Sequence, residues 1–307
     1  MQTTLRTPVT FTGTGLHSGR AVRMTVAPAS ANYGIWFRRT DVASSKDNLI
    51  PATWDRVEIS PLCTLLVNDA GVTVSTVEHV MAALTGCGIH NAMIEIDGGE
   101  VPILDGSSVT FTQSFLNAGV QTLGAPLQAI RILKNVEVKV DGATASLSPS
   151  DALEIDFSID FADGAIGRQR KHLNLRNGTF VRELSDSRTF CRQSDVDAMR
   201  SNGLALGGTL TNAVVVDGDA VLSPGGFRHA DEAVRHKMLD ALGDLSLAGH
   251  PILGRYTGVR AGHAMTNRLL RALFADPSAF EVVTCTPEMA SGLPGAGVEV
   301  LDLPQAC

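Results

Sequence analysis

Cysteine is scarce and sits in no useful pattern. The five residues (Cys63, Cys87, Cys191, Cys285 and Cys307) are odd in number and never form a Cys-x-x-Cys pair. That excludes a disulfide framework and a cysteine-rich zinc site, and fits reduced thiols. Long apolar runs are absent too. None approaches the ~20 residues that cross a bilayer, so no stable membrane insertion is expected. Excess positive charge is missing: the formal net charge is −7, which disfavours nonspecific contact with nucleic acid. An anionic ligand must therefore be held by local basic side chains against the overall field. The opening segment lacks a basic stretch followed by an apolar one, so no secretory signal is visible and a cytoplasmic location is expected. Low-complexity segments and heptad series are absent as well.

What is present describes a globular chain with a good core, 44% hydrophobic and 19% charged. Its 307 residues allow two domains, at the usual ~150 residues each. Alternating or apolar stretches at 22–26, 34–37 and 63–67 read as strands. A helix over 75–86, a strand over 91–96 and a weaker helix over 109–117 follow. Leu123-Gly124-Ala125-Pro126 is the best linker, which places a first domain over 1–124 and a second over 127–307. The second repeats the order: strands at 130–140, 144–147 and 153–161, a helix near 195–201, an apolar stretch at 212–218, helices over 231–249 and 263–274, and a strand at 280–284. Strands first and helices later, twice over, point to α+β domains built by duplication. Asn-Ala before an apolar strand recurs at Asn91 and Asn212, a repeat too short to establish duplication by itself.

The helix over 231–249 organises the chain. Acids fill its first turn and Gly249 stands just past its end. At roughly 100° per residue, His236, Lys237, Asp240 and Asp244 fall within about one quadrant. Val234, Met238, Ala241, Leu242 and Leu245 gather on the other side and account for the core. An imidazole and a carboxylate one turn apart can meet one metal ion, though the same spacing also makes ordinary surface pairs. A third ligand is needed. The earlier helix opens Ser75-Thr76-Val77-Glu78-His79, which fits two readings: a capping box of Ser75 with Glu78, or a general base, Glu78, beside a ligand, His79. Zinc-protease strings are absent. Three ligands from two helices would suit zinc and leave a fourth position for water.

These residues, with Gly13-Thr14-Gly15-Leu16-His17, Ile103-Leu104-Asp105-Gly106-Ser107, Ser187-Arg188-Thr189-Phe190, Val234-Arg235-His236-Lys237-Met238-Leu239-Asp240 and Gly262-His263, resemble the motifs of the UDP-3-O-acyl-N-acetylglucosamine deacetylases, zinc enzymes of lipid A synthesis in Gram-negative bacteria. The resemblance runs from Gly13 to about Phe274. It implies two similar domains, each a β-sheet layered with helices, with the helices enclosed between the two sheets and an insert in each domain. The second insert, about 190–212, would form a passage for an acyl chain. It implies zinc bound by His79, His236 and Asp240, Glu78 as general base and His263 as general acid. Thr189 would hold the oxyanion and Asp244 would keep His263 protonated. Lys237, Phe190, His17, Arg260 and Asp195 would contact a UDP-linked acylated glucosamine. A monomer is expected. His229 and Ala233 depart from the resemblance, since aromatic residues are expected there; His229 is a surface histidine or a stray metal contact.

Taken singly, the remaining positions have plainer readings. His263 is an ordinary helix-start residue, Lys237 a surface charge and Thr189 a loop hydroxyl. Their occurrence together is what favours a site.

Overall fold

The computed structural model describes residues 1–43 and 45–304. Cys63, Cys87, Cys191 and Cys285 are free thiols, and Cys307 lies outside the described residues. Among these residues the helices are α1 (Glu78–Gly86), α2 (Val109–Ala118), α3 (Thr179–Glu183), α4 (Gln193–Ser201), α5 (Glu232–Ser246), α6 (His263–Phe274) and α7 (Pro287–Ser291).

Two sheets carry the same plan. In the first, Val9–Thr14, Ala21–Pro28, Ala92–Ile96, Ile35–Arg39 and Leu49–Pro51 lie side by side in that order. Ala92–Ile96 at the centre runs antiparallel to Ala21–Pro28 and parallel to Ile35–Arg39. In the second, Val136–Val140, Ala143–Ser148, Ile252–Val259, Leu153–Asp160 and Arg168–Asn174 follow the same order and the same directions. Gln128–Ile132 and Phe280–Thr284 extend that sheet alongside the start of its central strand. In both halves one helix precedes the central strand (α1, α5) and another follows it (α2, α6). Both also carry a small three-stranded insert ahead of the first of these helices. A duplicated α+β unit explains this correspondence.

α1 packs along α5, and both helices are buried between the sheets in one continuous apolar core. On α5, Val234, Met238, Ala241, Leu242 and Leu245 are buried as their periodicity requires. The polar quadrant is buried as well, because it faces a site inside the molecule rather than solvent: His236, Asp240 and Asp244 are at most 4% exposed.

Two expectations need correction, and one strand was not expected. Residues 130–140 are two strands, Gln128–Ile132 and Val136–Val140, which are not neighbours in the sheet. The Asn-Ala recurrence marks non-equivalent places, since Asn91 precedes a central strand whereas Asn212 precedes the insert strand Val214–Asp217. Ile252–Val259, the centre of the second sheet, gave no strand signal.

The closeness of α1 and α5 depends on Gly243. A Cβ there would stand 2.1 Å from the carbonyl oxygen of Glu78, so the backbones must separate to admit any side chain. Gly243→Ala is therefore expected to destabilise the protein by about 1–3 kcal/mol through overpacking, and to lower activity further than stability alone requires. Denaturant titration beside turnover at a temperature where the variant is folded checks this; full turnover would show that the helix spacing does not set the site.

Candidate active site

The loops and helix ends that meet between the two halves bring together side chains from distant parts of the chain. His79 and Glu78 open α1, His236 and Asp240 lie one turn apart on α5, and His263 is the first residue of α6. One ligand atom each from His79, His236 and Asp240 lies within 4.8 Å of the others. The imidazoles meet edge to face at 5.0 Å.

The donor chemistry fits a divalent ion. His236 Nδ1 lies 2.9 Å from the Ser187 carbonyl oxygen, a contact that makes Nδ1 the protonated nitrogen and leaves the Nε2 lone pair free. Burial pushes the His236 pKa down to about 4, so the ring is neutral at pH 7 and able to ligate. Asp240 shares its labour between its oxygens. Oδ2 accepts from Lys237 Nζ at 2.7 Å, while Oδ1 is buried without a hydrogen-bond partner. That orphaned oxygen lies 3.3 Å from His236 Nε2 and 3.6 Å from His79 Nε2. A buried carboxylate oxygen without a donor is costly; a cation held between it and two imidazole nitrogens removes the cost. Two nitrogens and one oxygen form a set that zinc accepts. Burial works against ionisation of Asp240, yet His236 and Lys237 hold its pKa well below the usual carboxylate range.

Beside this cluster stand two titratable groups, Glu78 and His263. Burial, the largest influence, raises the pKa of Glu78, as suits a base. His263 Nε2 is 3.8 Å from Glu78 Oε1, and its Nδ1 is 2.9 Å from Asp244 Oδ2. Burial opposes a charged His263, but Asp244, Glu78 and Asp240 together outweigh it and raise its pKa to about 9. The capping-box reading fails. Ser75 ends a strand and its hydroxyl donates to Gly99, the cap position of α1 is Val77, and the Glu78 carboxylate accepts from the Thr64 N–H instead.

The sites meet a cavity of about 650 Å³ that continues under the second insert. Glu78, His79, His236, Lys237, Asp240 and His263 line it. Thr189, Phe190, His17 and Asp195 line it too, and the insert adds Val196, Met199 and Leu210. Phe190 packs edge to face on His236 at 6.3 Å and on Phe161 at 5.4 Å. His17 Nδ1 is buried and unpartnered, while Asp195 is bound to Arg192 at 2.8 Å. Arg260 stands apart: it is exposed, with its guanidinium donating to Gly142, and it is not among the lining residues. His229 pairs with Asp186 at 2.9 Å, away from the ligand set, and Ala233 is fully buried in α5.

Two structural residues went unread. Gly106, at φ +86°, accepts the Thr189 N–H and has no room for a Cβ, which would fall 2.0 Å from the Asn212 carbonyl oxygen. The Ile103–Ser107 motif thus positions Thr189 across the two halves. Glu232, 1% exposed, accepts from the Arg188 guanidinium and from the backbone N–H groups of Arg188 and Arg228. That pair anchors the loop carrying Ser187 and Thr189 to the start of α5. Burial alone would raise the Glu232 pKa, but these donors outweigh it and lower it. A depressed carboxylate stabilises the fold above its unfolded pKa, about 4.3, and loses that contribution as pH falls through the folded value. Glu232→Ala should cost about 3 kcal/mol or more at pH 7 by leaving Arg188 uncompensated. The gap from wild type should narrow below about pH 4; urea titrations at pH 7 and pH 3.5 measure both.

Comparison with known proteins gives a single answer. The family model described as LpxC, UDP-3-O-acyl N-acetylglycosamine deacetylase, matches residues 2–275. A UDP-3-O-acyl-N-acetylglucosamine deacetylase of Phenylobacterium zucineum (strain HLK1) is 46% identical over 95% of this chain and 99% of its own length. Proteins of the same name from Idiomarina loihiensis, 46% identical over 94% of this chain and 95% of its own, and from Shewanella sp. (strain W3-18-1), 44% identical over 94% of each, agree. With its fold, its clustered motifs and this match over nearly its whole length, the chain belongs to the UDP-3-O-acyl N-acetylglycosamine deacetylase family.

Proposed function

We propose that this chain is a zinc-dependent amidohydrolase that removes acetate from a UDP-linked, 3-O-acylated N-acetylglucosamine in lipid A biosynthesis. The observation that carries the reading is the orphaned Oδ1 of Asp240 beside two imidazole nitrogens, at the foot of a cavity with room for an acyl chain. A bound zinc ion would be held by His79, His236 and Asp240, and would supply Lewis acidity at the acetyl carbonyl and a water molecule of lowered pKa.

The remaining work falls to side chains. Glu78 takes a proton from the attacking water. His263, charged at neutral pH by its three carboxylate neighbours, stabilises developing negative charge and then protonates the departing amine nitrogen. Asp244 holds the His263 ring through Nδ1 and so aims Nε2 at the nitrogen. Thr189 donates to the developing oxyanion, and Lys237, Phe190 and His17, which line the same cavity, contact the nucleotide sugar. Lys237 and Arg192 on the cavity wall are paired with Asp240 and Asp195, so Arg200, which also lines it, supplies the local positive charge for a diphosphate ligand against a net charge of −7. Asp195, through Arg192, sets the wall of the acyl passage.

The pH dependence follows. Deprotonated Glu78 and protonated His263 are both needed, so kcat/KM should be bell-shaped. Its acid limb belongs to Glu78, above the ordinary carboxylate pKa, and its alkaline limb to His263, above the ordinary imidazole pKa. A profile still rising above pH 10 would remove His263 as the acid.

A zinc amidohydrolase for another N-acyl substrate would share the floor of the site but not the passage. Comparing the UDP-linked sugar with and without its 3-O-acyl chain separates the two: loss of the chain should lower kcat/KM at least about a hundredfold, the scale of several buried methylenes. Equal rates would favour the other substrate class. A noncatalytic nucleotide-sugar-binding module is disfavoured because the chain retains both proton-transfer groups.

A further inference from the structure

We infer that Thr64 is a positioning residue that fixes both proton-transfer partners at once, its N–H occupying one oxygen of Glu78 and its hydroxyl one oxygen of Asp244. The inference rests on the reading of Glu78 as base and His263 as acid. Thr64 is 3% exposed and stands just before the insert strand Leu65–Val67. That strand pairs with Thr73–Ser75, Leu65 opposite Ser75, and the chain runs from Ser75 through two residues into α1. The hairpin register thereby brings residue 64 back beside Glu78.

Each carboxylate is divided by this one residue. The Thr64 N–H donates to Glu78 Oε2 at 3.1 Å, leaving Oε1, the oxygen nearer His263, to take a proton. The Thr64 hydroxyl donates to Asp244 Oδ1 at 2.5 Å, leaving Oδ2 for His263 Nδ1 at 2.9 Å. Glu78, His263, Asp244 and Thr64 close a ring. Three of its four links are hydrogen bonds; the fourth, the 3.8 Å gap between Glu78 and His263, is the opening through which substrate atoms can enter. A hydroxyl has a single proton to give, and here it goes to Asp244. Without it, a buried carboxylate oxygen loses its donor, and Asp244 is free to turn away from His263. The loss should fall on proton transfer and leave binding intact, because Thr64 is not among the residues lining the cavity.

The test uses the zinc-loaded enzyme and its UDP-linked 3-O-acyl substrate, with Thr64→Val and Thr64→Ala to remove the hydroxyl and Thr64→Ser to keep it. Both hydroxyl-free variants should lose about tenfold in kcat with KM within about twofold, while Thr64→Ser stays within about threefold of wild type. In an Asp244→Asn background, loss of the hydroxyl should cost less than about threefold further, since the two act through one chain of hydrogen bonds. The downfield Nδ1 proton resonance of His263 should move in the hydroxyl-free variants and persist in Thr64→Ser. Wild-type kcat in Thr64→Val or Thr64→Ala, a Thr64→Ser variant as impaired as they are, or full additivity with Asp244→Asn each overturns the assignment. An enzyme that is active without Glu78 would instead overturn the underlying reading, so Glu78→Ala is measured alongside.

Discussion

Glu78→Ala is expected to cut turnover at least about a hundredfold, the usual worth of a positioned general base, while zinc content stays near about one per chain, as a three-ligand catalytic site requires. The separation of the two readouts follows from geometry. Glu78 is adjacent to the proposed ligand His79 in sequence, yet its carboxylate accepts from the Thr64 N–H and its Oε1 lies 3.8 Å from His263 Nε2. Removing it leaves the two imidazoles and Asp240 Oδ1 in place. Burial has also raised the Glu78 pKa, which brings its basicity closer to that of an acidified water. Glu78→Gln should behave like Glu78→Ala, because an amide keeps the shape and loses the base. Turnover near wild type in either variant would remove Glu78 from the mechanism, whatever its burial.

The second large effect concerns the ligands. Substituting His79, His236 or Asp240 by alanine should weaken zinc binding by more than the roughly 10–100-fold cost of losing an outer-shell partner, and turnover should vanish with the ion. Chelation should silence the wild-type enzyme and zinc should restore it; restoration should fail in the three variants at the same free zinc. Asp240 carries an additional consequence. Lys237 Nζ is bound to Asp240 Oδ2, so Asp240→Ala also leaves a half-buried ammonium without its partner and should destabilise the fold more than either histidine variant does. Normal metal content in all three would contradict the assignment.

Much of this site could be read along the chain because helical periodicity is a strong signal. The residues of α5 that face the core and those that face the His79–His236–Asp240 cluster separate cleanly by angle, and the structure keeps that separation. What the pattern could not convey is that both faces are buried, since a polar quadrant looks the same whether it meets water or a cavity. Glu78 offered two readings because a glutamate three residues after a serine is the spacing of a capping box; only the tertiary partner, Thr64, decides between them. Thr64 itself is one hydroxyl in a strand-like run and gives no local sign of its two bonds. The resemblance supplied the roles of His263, Asp244 and Thr189, which no spacing alone identifies.

The central strand Ile252–Val259 was illegible for a physical reason. It contains Gly254 and Gly258, which weaken a strand by propensity. Both are dictated by packing: a Cβ at Gly254 would meet Ile132 at 2.6 Å, and one at Gly258 would meet Phe157 at 2.7 Å. The same strand accepts partners on both edges, so its backbone hydrogen bonds compensate for the poor local preference. Residues 130–140 mislead in the opposite direction, because continuous β propensity hides the break between two strands that are not neighbours; Leu133, Lys134 and Asn135 form it without a glycine or proline.

The most direct test is a zinc-edge anomalous diffraction map of the zinc-loaded protein. The expected result is one ion within about 2.0–2.2 Å of His79 Nε2, His236 Nε2 and Asp240 Oδ1, with a fourth position open to solvent. An ion bound elsewhere, or bound through a cysteine thiolate with those three side chains apart, would contradict the account.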